Sequence, residues 1–177
     1  MAVVTTTFGS SPTALAVTAL HSIATNTFWK SAQVNFSTNS PVFVIVQVTL
    51  VTSTTAGSAT GYSNVYLACS LDGTDYDVNL TAGDAAWTNT TPSAAEQSKS
   101  LQLLGRISMQ TTAASSYTYR KTFFVPPGAV PKYGVLVIEN QRGATLEASG
   151  NLVEYKEWIA EQKREMPGVL RLPHLGE

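Results

Sequence analysis

The sequence predicts an all-β fold, a single antiparallel β-sandwich of about eight strands with jelly-roll character, and three observations carry that prediction. Short stretches rich in Val, Thr, Tyr and Phe recur with turn residues between them, the pattern of strands rather than helices. Charged residues make up 13% of the chain, against roughly 25% in typical domains, and Thr, Ser, Ala, Val and Gly take their place. No long stretch of helical period alternates with the strands, so a parallel sheet built from βαβ units is excluded.

The elements follow in order. Residues 1–14, beginning "MAVVTTTFGSSP", form an N-terminal extension without the basic region of a signal peptide. Strands are expected at "LAVTALH" (15–21) and at "FWKSAQVNFST" (28–38). "PVFVIVQVTLVT" (41–52) opens with a continuous apolar run, as a strand buried on both faces would, and then alternates. Thr/Ser/Gly-rich residues 52–61 are a loop. Strands "YSNVYLACSL" (62–71), "LQLLGRISM" (101–109), "YTYRKTFFV" (117–125) and "YGVLVIEN" (133–140) follow, with room for one helical turn in 88–100. "VPPGAVP" (125–131) is a rigid crossover, and "ATLEASGNLVEY" (144–155) is a last strand with a bulge or bend at Gly150. The sandwich domain is thus 15–157.

Residues 158–177 differ. From Glu154 onward the chain holds nine of its 23 charged residues. A short helix is expected around 157–165, ended by Pro167 and Gly168. Trp158, Ile159, Val169, Leu170, Leu172 and Leu175 then have no strand left to pack on, so this segment is expected to be an arm that binds a neighbouring subunit.

Composition bounds the function. A net charge of −1 without a basic stripe leaves nucleic acid without an electrostatic footprint. The longest apolar run, "VFVIV", is far too short to span a bilayer, so a soluble protein made in a cytoplasm is expected. One cysteine, Cys69, allows no intrachain disulfide and reads as a buried, inert thiol.

The acidic residues Asp72, Asp75, Asp77 and Asp84 lie within thirteen positions, and upstream of them the only charged side chain is Lys30. "DG" after an alternating strand is a hairpin signal, with Tyr76 and Val78 continuing the returning strand. A surface Ca²⁺ site on Asp72, Asp75 and Asp77 is the alternative, against which the spacing departs from the EF-hand order and offers no Glu. Carboxylate catalysis is a third reading. The two histidines, His21 and His174, are read as structural, and no G-x-S-x-G elbow, phosphate loop or H-E-x-x-H helix is present. No catalytic residue and no cofactor is therefore expected. Trp29, Trp87, Tyr62 and Tyr76 are candidates for a sugar-stacking face.

"FWKSAQVNFSTN", "VQVTL", "VYLACSLDGTDYDVNLTAGDAAW", "LQLLGRISM" and "YGVLVIENQRGATLEASGNLVEY" together resemble a family of small β-sandwich structural proteins of tailed bacteriophages, over roughly residues 15–157. The S-x-D-G-T-x-Y turn, Ser70, Asp72, Gly73, Thr74 and Tyr76, is its most telling element, with Gly83–Ala86 downstream. The resemblance implies a virion component without enzymatic activity, of capsid decoration, minor head or connector type, assembled in the host cytoplasm. Its expected partners are other virion structural proteins and further copies of itself in a closed ring, a trimer by preference. A tail or connector subunit, or the glycan-binding module of a receptor-recognising fibre, is the alternative.

Overall fold

The computed structural model describes residues 3–8, 11–88, 93–109 and 115–163, with side chains described for 11–88, 93–109 and 115–159. The strands are β1 (Val3–Phe8), β2 (Thr13–Ala14), β3 (Thr27–Lys30), β4 (Val34–Asn35), β5 (Phe43–Val51), β6 (Tyr62–Ser70), β7 (Ala85–Trp87), β8 (Gln102–Ser108), β9 (Thr118–Val125), β10 (Tyr133–Gln141) and β11 (Leu152–Lys163). One helical turn, α1 (Ala94–Gln97), and two 3₁₀ turns complete the described elements. The expected all-β sandwich is what forms. Sheet A runs β1-β11-β5-β9 with β2 also on β11, and sheet B runs β7-β3-β10-β6-β8 with β4 also on β10.

Alternation builds the main core. In β5 the side chains of Val44, Val46, Val48 and Leu50 turn inward onto Val65, Leu67, Leu136, Ile138 and Trp29 of sheet B. Each such side chain contributes about 1.5–3 kcal/mol by leaving water. A second core lies on the other side of sheet B, where Phe28, Trp87, Ala68, Val135 and Val137 are roofed by Leu80, Ala94 and Leu101. The roof is the excursion between β6 and β8. Its helical turn is held by a capping box in which Ser93 and Glu96 satisfy each other's backbone N–H.

Several expectations need correction. Residues 15–21 are not a strand. Leu20 and Ile23 are buried through a 3₁₀ turn (Thr18–Leu20), and the positive φ of Ser22 and Asn26 keeps the chain from running straight. The strand expected over 28–38 is broken at 31–33, because the Ser31 hydroxyl accepts the Leu136 N–H at 3.0 Å, where a ladder carbonyl would otherwise stand. The last strand begins at Leu152 rather than 144, with Gly150 at φ +81° in the turn before it.

The helix expected around 157–165 is a strand as far as Lys163. Backbone pairing with β1, in unbroken register from Phe8↔Trp158 to Val3↔Lys163, wins over local helix propensity. Trp158 and Ile159 therefore belong to sheet A, and the N-terminal extension supplies the partner strand. Because β5 begins at Phe43, opposite Trp158, among the described residues only β1 accompanies β11 beyond that point. The two strands run on together as a ribbon past the sheet. Val169, Leu170, Leu172 and Leu175 lie outside the described residues.

Candidate functional site

Three of the four carboxylates in the acidic run, Asp72, Asp77 and Asp84, are structural acceptors. Asp72 Oδ1 accepts the Thr74 N–H (2.8 Å), the Asp75 N–H (2.9 Å) and the Ser70 hydroxyl (3.0 Å). These donors, Thr74 first, hold its carboxyl below the usual carboxylate range. Gly73, at φ +83°, makes the turn, whereas Asp72 is not among the positive-φ residues, so the turn is not of the two-residue I′ type. No strand returns from it. Tyr76 and Val78 instead pack against the second core. Asp77 Oδ2 accepts the Cys69 N–H at 2.9 Å, and Asp84 Oδ1 accepts the Trp29 indole N–H at 2.7 Å and the Ala19 N–H at 3.1 Å. Each of these three carboxylates serves a different backbone or indole donor. Among the described residues no group of three or more His, Cys, Asp or Glu is placed to hold a metal.

The other reactive side chains are similarly engaged. The Cys69 thiol is half-buried, and burial, followed by the nearby Asp77 charge, pushes its pKa up to about 11. Glu139 is buried and accepts from Asn64 Nδ2 (2.7 Å), the Tyr66 hydroxyl (2.9 Å) and Gln141 Nε2 (2.8 Å). Burial and the Glu139 carboxylate push the Tyr66 phenol up to about 12. Arg142 is fully buried, and among the described residues its recorded hydrogen bonds go to carbonyls and a hydroxyl. Its guanidinium donates to the carbonyls of Thr55 (2.7 Å), Thr145 (2.9 Å) and Ser53 (3.2 Å), tying the 53–61 loop to the chain after β10. Lys30 donates to the Thr81 carbonyl, and burial lowers its pKa. His21 closes the first 3₁₀ turn, and His174 lies outside the described residues.

The proposed sugar face is not assembled. Trp29 is 0% and Trp87 3% exposed, and they lie in the two different cores on opposite sides of sheet B. Tyr62 lies beneath the Arg106 guanidinium, 3.9 Å from its ring centroid.

What remains is a surface. On sheet A the residues between the inward valines face out: Phe43, Ile45 and Gln47 on β5, opposite Trp158, Lys156 and Glu154 on β11 and, for Ile45 and Gln47, Phe124 and Thr122 on β9. Phe43 stacks on Trp158 at 4.8 Å between centroids and meets Phe124 at 4.8 Å. Phe124 is 53% exposed. Of the residues expected to bind a partner, Trp158 thus joins this cluster, whereas Ile159 lines a polar cleft with Thr13, Asn35 and Tyr155. Phe43, Ile45 and Phe124 were missed in the sequence. The signal was in "TFFV", where Phe123 and Phe124 must face opposite sides of a strand.

The outer face of sheet A, leading into the β1–β11 ribbon, is therefore the candidate functional surface. No protein-family model matches the chain, and no curated protein is significantly similar to it.

Proposed function

We propose that this protein is a non-enzymatic structural component of a tailed-bacteriophage virion, a capsid decoration or minor head protein that binds neighbouring subunits through its C-terminal residues. One observation carries the reading. The apolar cluster of Phe43, Ile45, Phe124 and Trp158 stands on an outer sheet face, beside the strand that leads into the apolar sequence Val169, Leu170, Leu172 and Leu175. Apolar side chains so placed are the anchors of a protein interface. The neutral, hydroxyl-rich sequence fits the same role, since burying hydroxyls against a neighbour costs far less than burying unpaired charges. The resemblance to phage sandwich proteins over 15–157 points the same way. Its partners are further copies of itself and other virion structural proteins, and its destination is the virion, assembled in the host cytoplasm.

The test is incorporation. Immunogold labelling of purified particles should place the protein on the head, and a chain ending at Lys163 should fold with an unchanged melting temperature yet be absent from particles. The deletion begins at 164 because residues 158–163 are a strand of sheet A. Label on the tail would move the protein to a connector or tail role. Particles without label, or the shortened chain incorporated as well as the full one, would overturn the reading.

A further inference from the structure

The strands that end the two sheet orders are β1 and β9 in sheet A and β7 and β8 in sheet B, while the side of β11 that β5 leaves open beyond Trp158 carries Glu161 and Lys163 in its sequence. An open edge displays unpaired backbone groups and invites another chain, and proteins normally guard it with charge, a bulge or shortness. Three of the four are guarded. Strand β9 carries exposed Arg120 and Lys121, and the Lys121 ammonium donates to the Arg106 carbonyl of β8 at 2.6 Å, reaching across between the sheets. Strand β8 is bulged where its register to β6 shifts between Val65 and Tyr66. There Gly105 leaves room for Phe123, which a Cβ would meet at 2.9 Å. Strand β7 has only three residues.

Strand β1 has none of these devices. "VVTTTF" holds no charge, proline or glycine, and it pairs with β11 over all six residues without a bulge. On its other side no strand pairs with it among the described residues.

We infer that this edge is a self-association site whose occupant is β1 of a second copy, paired antiparallel across a two-fold axis so that the two A sheets become one. The sequence complements itself in that arrangement. With all six residues paired, Val3 stands opposite Phe8 of the second copy, Val4 opposite Thr7 and Thr5 opposite Thr6. Thr–Thr and apolar cross-strand pairs are favourable, and no charges of like sign meet. The same sequence at both sides of a two-fold contact is what an isologous interface requires. A trimer would need a heterologous contact, which a self-complementary edge does not specify. The inference does not depend on the virion reading, since a dimer serves proteins of many kinds.

Light scattering and sedimentation across a concentration series of the full chain provide the test. The unaltered protein should dimerise. Thr5→Lys and Thr6→Glu should each raise the monomer–dimer midpoint by about tenfold or more. An equimolar mixture of the two variants should restore dimer, because the register sets Lys at 5 against Glu at 6 of the other copy. Thr118→Lys, on the opposite edge, should change nothing. Hydrogen exchange of the unaltered chain gives a readout that no misfolded variant can obscure: amide protection within Val3–Phe8 should rise with protein concentration. A monomer at all concentrations, a trimer, a mixture that fails to re-form dimer, or protection in β1 that ignores concentration would overturn the inference.

Discussion

The outer faces of the two sheets have been treated differently by the same chain. Strand β10 is apolar on both sides, and both sides are buried: Leu136 and Ile138 point into the main core, Val135 and Val137 into the second. Strand β5 opens with an equally continuous apolar run, but Phe43 and Ile45 on its outer side remain only half-buried while Val44 and Val46 are fully enclosed. The difference lies in another part of the sequence. The excursion between β6 and β8 supplies Leu80, Ala94 and Leu101 as a roof for sheet B, and no described segment does this for sheet A. A two-sided apolar strand therefore marks a second layer in one sheet and an unfilled demand for one in the other.

The most damaging way to break the covered face is to remove its largest side chain. Trp87 is 3% exposed and meets Phe28 edge to face at 5.7 Å. Trp87→Ala should cost about 3–5 kcal/mol, the range for a large aromatic deleted from a core, read as a lower midpoint in urea unfolding. A loss below about 1 kcal/mol would mean that the second core around Trp87 is loosely packed.

A smaller effect comes from the polar group under the same roof. The Tyr66 hydroxyl donates to buried Glu139, and removing a hydrogen bond to a charged acceptor costs about 1.5–3 kcal/mol, so Tyr66→Phe should destabilise within or below that range at neutral pH. The pH dependence has a definite sign. An unfolded tyrosine ionises near pH 10, whereas the folded phenol is held up to about 12. The stabilisation is fully present below the unfolded pKa and is lost as pH rises through the window between the two values, because the unfolded chain releases its proton first. Thermal melts between pH 9 and 12, compared between the parent and Tyr66→Phe, should show a shallower alkaline decline in the variant. Parallel declines would remove Tyr66 as the cause.

Much of this contrast was legible in the sequence, but only one side of it. Alternation, or a continuous apolar run, located β5, β6, β8, β9 and β10 to within a residue or two, because each buries at least one face against the partner sheet and the pattern records that directly. Trp158 was identified as an apolar residue needing a surface, and it has one in Phe43. What local pattern could not supply was long-range backbone pairing. "EYKEWIAEQK" satisfies a helical reading until β1, some 150 positions earlier, offers it a ladder. The acidic turn was legible in its chemistry, with Asp and Gly where a tight turn needs them, but not in its exit. Tyr76 and Val78 read as a returning strand, and they leave for the second core because Val135, Val137 and Ala68 offer apolar surface there.

The gentlest test is on the open face. Phe124 is more than half exposed, so replacing it forfeits only part of a side chain's transfer free energy. Its contact with Phe43 is a tilted aromatic pair of the kind worth about 0.5–1.5 kcal/mol, and Thr, a strong strand former, recovers some of that through the backbone. Phe124→Thr should therefore lower isolated-domain stability by no more than about 1 kcal/mol, several-fold less than Trp87→Ala. Its consequence should fall on partner binding instead, as reduced incorporation into particles from a protein that melts almost normally. A loss of stability equal to that of Trp87→Ala would make Phe124 a core residue and erase the distinction between the two faces. Normal melting with normal incorporation would leave the face open but without a partner. The two measurements on one variant thus separate a surface that awaits a neighbour from one that merely tolerates solvent.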